Sequence, residues 1–146
     1  MISKIETAQA FPPVSTYVNI ASGLGISFGE LFQLDLQEPD ISIVRSHDRQ
    51  VISRGAYLGS PLAYQKNQKR MEPFLFEYPK GRKCPTYRHD NEEMIFVIEG
   101  KLEFKYGGDT IILGKGDCVY FNGKIPHGGR ALNHNGAKAL IVQSTV

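Results

Sequence analysis

The chain has 146 residues, with 17 basic and 15 acidic side chains and a formal charge of +2, a balance too mild to argue for nucleic acid from charge alone. It is 41% hydrophobic and 22% charged, ordinary for a soluble globular domain, and no apolar run approaches membrane-span length. Two cysteines, Cys84 and Cys118, do not make a secreted disulfide framework, and MISKIETAQAF lacks the apolar core of a signal peptide; a cytoplasmic protein with reduced thiols is expected.

In chain order, MISKIETA reads as the tail of a helix. PPVSTYVNIASGLG follows, with Val14, Tyr17, Val18, Ile20, Ala21 and Leu24 near helical spacing, Pro12 and Pro13 at its start and Gly25 just past its end. Ser27 then precedes Phe28, Leu31 and Phe32 as the cap of a second short helix. From Ile41 the period changes to two: ISIV, QVISRGAYL and FLFEY are short β-branched or aromatic runs. Between them YQKNQKRMEP, with Lys66, Lys69 and Arg70, reads as a solvated loop. After Pro73 the strands come at short intervals: EEMIFVIE, KLEFKY, DTIIL, DCVYFN, IPHGG and KALIVQST, broken by Gly100, Gly107-Gly108, Gly114 and Gly116. Fifteen glycines and eight prolines fit a β-sandwich or barrel rather than βαβ units.

Three side chains carry the chemistry that such a barrel mouth can gather: His89, Glu93 and His127. Imidazole nitrogen and carboxylate oxygen are suitable donors for a divalent transition metal, and two histidines with one carboxylate match a facial triad with open positions. Spacing alone is a weak signal. Glu92 and Glu93 also read as solvated turn carboxylates, and His47 and His134 as exposed loop residues.

The stretch from Gly81 to Gly100 resembles the first cupin motif: a glycine, five residues, His-x-His, three or four residues, glutamate, six residues, glycine. Gly81, His89, Glu93 and Gly100 fall in register. GDCVYFNGKIPHGG resembles the second motif, with its Gly116-Asp117 turn and closing Pro126-His127. The resemblance implies a mainly β fold, a single cupin barrel (double-stranded β-helix, or jelly roll). It departs from the pattern at Tyr87, where the first histidine belongs, at Asn122 and Lys124, where proline and glycine are usual, and at Ala131, where asparagine closes the motif. Tyrosine is a poor ligand unless ionised. The expectation is therefore a weakened or lost site for Fe, Mn, Ni or Zn, with Tyr87, His89, Glu93 and His127 lining a small-molecule pocket instead. Cys118 and Tyr120 are expected to be packed, and Phe104 to be core. Lys83 beside Cys84 is the one feature bearing on that thiol's reactivity.

The N-terminal run resembles the second half of an XRE-type (Cro/repressor-like) helix-turn-helix domain. The matches are Ser3-Lys4-Ile5-Glu6, Pro12, Ile20-Ala21, Leu24-Gly25 and Glu30-Leu31-Phe32, with Ala8 departing from the usual glycine. The resemblance implies that Ser3 and Lys4 are remnants of a DNA-reading helix and that Ile20, Leu24 and Leu31 are core. Joined to a cupin, it implies a ligand-sensing, dimerising transcriptional regulator. The first helices of that domain precede Met1 in the pattern, so DNA is expected as a partner only if they are supplied. Residues 1–34 are assigned to the partial helix-turn-helix region and 35–146 to the cupin with its extension strands, the barrel core beginning near 66. ISIV and FLFEY are candidate dimer contacts. The competing readings are a metal-dependent cupin dioxygenase or isomerase using His89, Glu93 and His127, and a dimeric binding module with no DNA role.

Overall fold

A computed structural model describes residues 13–31, 41–53, 56–66, 69–83 and 85–145. Helix α1 (Val14–Gly23) follows Pro13, and α2 (Phe28–Leu31) is a single turn. Among the described residues nine strands follow: β1 (Ile52–Ser53), β2 (Leu58–Pro61), β3 (Met71–Tyr78), β4 (Glu92–Glu99), β5 (Lys101–Tyr106), β6 (Asp109–Gly114), β7 (Cys118–Asn122), β8 (His127–Ala131) and β9 (Ala137–Ser144). They form a six-stranded sheet in the order β1-β2-β3-β9-β4-β7 and a three-stranded sheet in the order β6-β5-β8. Every pairing is antiparallel. This is the expected two-sheet jelly roll.

Alternation places the core. On β3 the even positions Glu72, Phe74, Phe76 and Tyr78 are buried, and on β9 the odd positions Ala137, Ala139, Ile141 and Gln143 are. The register pairs Phe76 with Ala139 and Tyr78 with Ala137, so small residues make room for aromatic ones. β4 continues the rows, with Ile95 beside Ile141 and Val97 beside Ala139. Leu102 and Phe104 of β5 face them from the second sheet, both essentially inaccessible to solvent. At one end the same inner face carries a polar row. Glu72 pairs with Gln143, and Gln143 with Glu93.

Helix α1 closes onto this core. Val14 and Val18 of α1 and Phe28 of α2 belong to the same cluster as Phe74, Ile95 and Phe104. Phe28 meets Phe74 edge to face with ring centroids 5.7 Å apart.

Several expectations need correction. Leu24 is 62% exposed, because it caps α1 after the last turn, off the stripe that meets the barrel; Ile20 and Leu31 are half-buried. ISIV is not a strand, and Ile41 and Ile43 are exposed. In FLFEY the aromatic side chains point into the core, leaving only Leu75 and Glu77 of that run on the outer face. Cys118 and Tyr120 are exposed, since β7 is an edge strand whose even positions face outward. Lys69 is drawn out of the solvated loop: its Nζ donates to Glu72 Oε1 at 2.8 Å and to the Ala63 carbonyl at 2.6 Å. Burial still raises the Glu72 pKa above its ordinary value, against the lowering by Lys69. His47 and His134 are exposed and Phe104 is core, as expected. Ser3, Lys4, Ala8, Phe32 and Cys84 lie outside the described residues.

The β4–β5 turn depends on Gly100. Its φ is +81°, and a Cβ there would stand 2.5 Å from the Gly136 carbonyl oxygen. Gly81 has a similar φ of +75° but open space around it. Gly100→Ala is therefore expected to cost about 3 kcal/mol or more, and Gly81→Ala about 1 kcal/mol. Urea unfolding of both variants checks this, and equal losses would contradict the close approach.

Candidate metal centre

The segment from Tyr87 to Glu93 is laid along the barrel mouth by backbone bonds. Tyr87 and His127 exchange N–H···O bonds of 2.7 and 2.9 Å, His89 N–H donates to the Gly123 carbonyl at 3.0 Å, and Gly123 N–H donates to the Asn91 carbonyl at 2.9 Å. In this extended run successive side chains alternate. Arg88, Asp90 and Glu92 are exposed, whereas His89, Asn91 and Glu93 are buried and Tyr87 is half-buried. Glu93 is thus an inward residue of β4 and not a turn carboxylate. Glu92, its exposed neighbour, accepts a 2.7 Å bond from the Tyr120 hydroxyl.

His127 opens β8 and faces the same space. His89 Nε2 lies 3.1 Å from Glu93 Oε2, and His127 Nε2 lies 3.9 Å from it. Donor atoms of all three residues fall within 4.8 Å of one another; the 3.1 and 3.9 Å separations fit ligands of one ion, where donors about 2.1 Å from the centre are roughly 3 to 4 Å apart, and the widest pair has to close slightly to share it. The tautomer of His127 follows from its other nitrogen. Nδ1 lies 2.8 Å from the Ile125 carbonyl, an acceptor, so Nδ1 carries the proton and the Nε2 lone pair faces Glu93. A backbone carbonyl in this role is the usual outer-shell device for orienting a metal-ligating imidazole. Burial lowers the His127 pKa, outweighing the upward pull of the Ile125 bond and of Glu93.

Two residues unforeseen in the sequence complete the site. Gln143 of β9 is buried, and its Nε2 donates to Glu93 Oε2 at 2.6 Å. Gly123 gives His89 its place: a Cβ there would stand 2.3 Å from His89 Nδ1 and Cε1. Its position, between Asn122 and Lys124, is where the second motif departs from its pattern, and the close approach to a residue 34 positions earlier leaves no local signal.

The pocket is lined by Tyr57, Tyr78, Tyr87, His89, Glu93, His127 and Gln143, together with Pro13 and Val14 at the start of α1. All four expected pocket residues are therefore brought together. The free space is about 30 Å³, room for roughly two waters or an ion with a very small ligand. The donor set fits a divalent transition metal: two imidazoles and one carboxylate, shielded from water, with a lone pair and a carboxylate oxygen facing each other.

Residues 74–143 match the family model Cupin_2, the cupin domain. This chain carries a cupin domain. Outside the cupin the likeness extends to regulators. HTH-type transcriptional regulator PuuR of Escherichia coli (strain K12) is 28% identical over 129 residues, 86% of this chain and 69% of that protein. Among solved structures, an HTH_3 family transcriptional regulator from Vibrio cholerae superposes with a TM-score of 0.66 at 23% identity, over 99% of this chain and 78% of that one. Hydroxypropylphosphonic acid epoxidase from S. wedmorenis superposes with a TM-score of 0.62 at 21% identity, over 90% and 74%. The cupin fold is thus shared with regulators and with an enzyme.

The lowered His127 pKa sets a pH signature for the metal-free cupin. Above pH 6.5, the ring's ordinary value, both folded and unfolded chains hold it neutral. As pH falls below 6.5 the unfolded chain binds the proton first, so this group lowers stability until the folded pKa is reached, after which its effect stops growing. An NMR titration of the His127 ring is expected to show a midpoint below 6.5. A midpoint at or above 6.5 would contradict the desolvated, Nδ1-protonated ring.

Proposed function

We propose that this chain is the effector-sensing cupin of a helix-turn-helix transcriptional regulator, with a divalent transition metal at the base of its pocket. The observation that carries this reading is a shared wall: Pro13 and Val14, the first turn of α1, line the same pocket as His89, Glu93 and His127. A regulator must convert occupancy of one site into a change at another, and only differential contact with the two states can do so. Here the contacted element is the helix that enters the barrel from the N-terminal side. With free space of about 30 Å³, an effector larger than a few atoms has to displace that turn.

His89, Glu93 and His127 would hold the ion, and three protein ligands leave positions for an effector. The ion would supply Lewis-acid attraction for a small polar or anionic molecule. The remaining residues act on the ligands and the effector. The Ile125 carbonyl orients His127, Gly123 admits the His89 ring, and Tyr57, Tyr78 and Tyr87 line the pocket beside the donors and the start of α1. The Tyr87 departure removes one donor of the usual four but leaves three gathered, so in this reading the site that the motif implies to be weakened or lost still holds its ion. In this reading residues 1–34 belong to the DNA-reading side and 35–146 to the sensor. DNA is a partner through the complete helix-turn-helix, and the chain acts as a homodimer with Ile41 and Ile43 among its exposed apolar contacts. A second reading, a metal-dependent enzyme of the dioxygenase or isomerase type, is favoured by the same donor set, which matches the facial triad of non-haem Fe(II) oxygenases.

Calorimetric titration with Zn(II) or Mn(II), paired with hydrogen exchange, tests the proposal. Binding is expected at micromolar affinity or tighter and at least 100-fold weaker in His89→Ala. Metal loading should slow amide exchange across α1. Tight binding with exchange in α1 unchanged, together with metal-dependent turnover, would favour the enzyme; absence of binding would overturn the metal centre.

A further inference from the structure

Gln143 stands against the candidate metal site, although no motif points to it. It lies on β9 directly between two buried carboxylates, paired with Glu72 of β3 on one side and Glu93 of β4 on the other. It is 5% exposed. Its Nε2 lies 2.6 Å from Glu93 Oε2 and 3.5 Å from His89 Nε2. Its Oε1 is buried without a hydrogen-bond partner, and a buried unpartnered carbonyl oxygen is a position that a native site rarely leaves unfilled.

Resting on the metal reading above, we propose that the side-chain carbonyl oxygen of Gln143 is the fourth protein donor of this centre, taking the part that a histidine at position 87 would otherwise play. The amide has two ends of the same shape, and its hydrogen-bonding surroundings decide which faces inward. Without an ion, the acceptor Glu93 Oε2 selects the N–H end and strands the oxygen. With a cation on Glu93 Oε2, the N–H dipole faces a positive charge and the oxygen becomes the favoured end. A half-turn about the last side-chain bond places Oε1 where Nε2 stands, 2.6 and 3.5 Å from two of the other donors. Separations of this size, about 3 Å, are those of donors sharing one ion. The Tyr87 ring packs edge to face with Tyr57 at 6.3 Å between centroids. The donor set becomes two imidazoles, one carboxylate and one neutral amide oxygen. It carries a single negative charge and harder oxygen character, which favours Mn(II) or Fe(II) over softer ions.

The test uses Mn(II) with the whole chain labelled with glutamine carrying 13C at the side-chain carbonyl. Gln143 is the one glutamine that lines the pocket among the described residues, so pulsed electron paramagnetic resonance should resolve a 13C coupling in the loaded wild type. Gln143→Leu should bind Mn(II) at least 10-fold more weakly and lose that coupling. The labelled wild type decides the question even if Gln143→Leu folds poorly. Mn(II) bound at the three-residue centre with no 13C coupling would overturn the proposal and leave Gln143 as a residue that only positions Glu93. No Mn(II) binding by the wild type at all would instead overturn the metal reading on which it rests.

Discussion

Glu93 is a carboxylate shut inside a barrel, and the rest of the site is arranged to tolerate it. An ionised carboxylate taken out of water without a partner costs several kcal/mol, so a buried one needs donors or a cation. The chain supplies His89 Nε2 at 3.1 Å and Gln143 Nε2 at 2.6 Å. His127 does not complete the set, since its Nδ1 proton goes to the Ile125 carbonyl and its Nε2 turns a lone pair toward the carboxylate. One carboxylate with an imidazole lone pair facing it leaves the centre short of positive charge. In the proposed reading a divalent ion would meet that need more completely than a proton, because it would engage both imidazoles and the carboxylate together.

The surrounding fold follows from holding these donors still. Each comes from a different part of the chain: His89 from an extended segment pinned to Gly123, Glu93 from β4, His127 from the first residue of β8, and Gln143 from β9. The row of Phe74, Ile141 and Ile95 packs directly behind the polar row, so Glu93, His127 and Gln143 stand on strands, while His89 is held by its backbone bond to Gly123. Among the described residues, the helical wall is the start of α1. A site with rigid donors and one wall from a helix outside the barrel can pass occupancy to that helix, which is the physical content of the regulatory reading.

What the sequence revealed depended on how locally each feature is encoded. The resemblance to the two cupin motifs put Tyr87, His89, Glu93 and His127 in one pocket, because each motif is a local run of residues; spacing alone was a weak signal. The jelly roll was legible for the same reason, from short alternating strands separated by glycines. Gln143 was not, because its role exists only through the register that sets β9 between β3 and β4. Gly123 was hidden likewise, since the close approach of the His89 ring is a tertiary contact. Tyr120 and Cys118 misled because an apolar strand looks the same at a sheet edge as in its middle. Leu24 fits a helical stripe by spacing but falls past the last turn. Whether Tyr87 empties the site was not decidable from a motif, because a motif counts ligand positions and not the charge that the remaining ones leave uncompensated.

The most direct measurement is a crystal structure of the purified chain with anomalous diffraction recorded across the metal absorption edges. A single anomalous peak within about 2.0–2.3 Å of His89 Nε2, Glu93 Oε2 and His127 Nε2 is the predicted result. A site with no anomalous signal after saturation with Mn(II) or Zn(II), and with His89 still bonded to Glu93, would contradict the account.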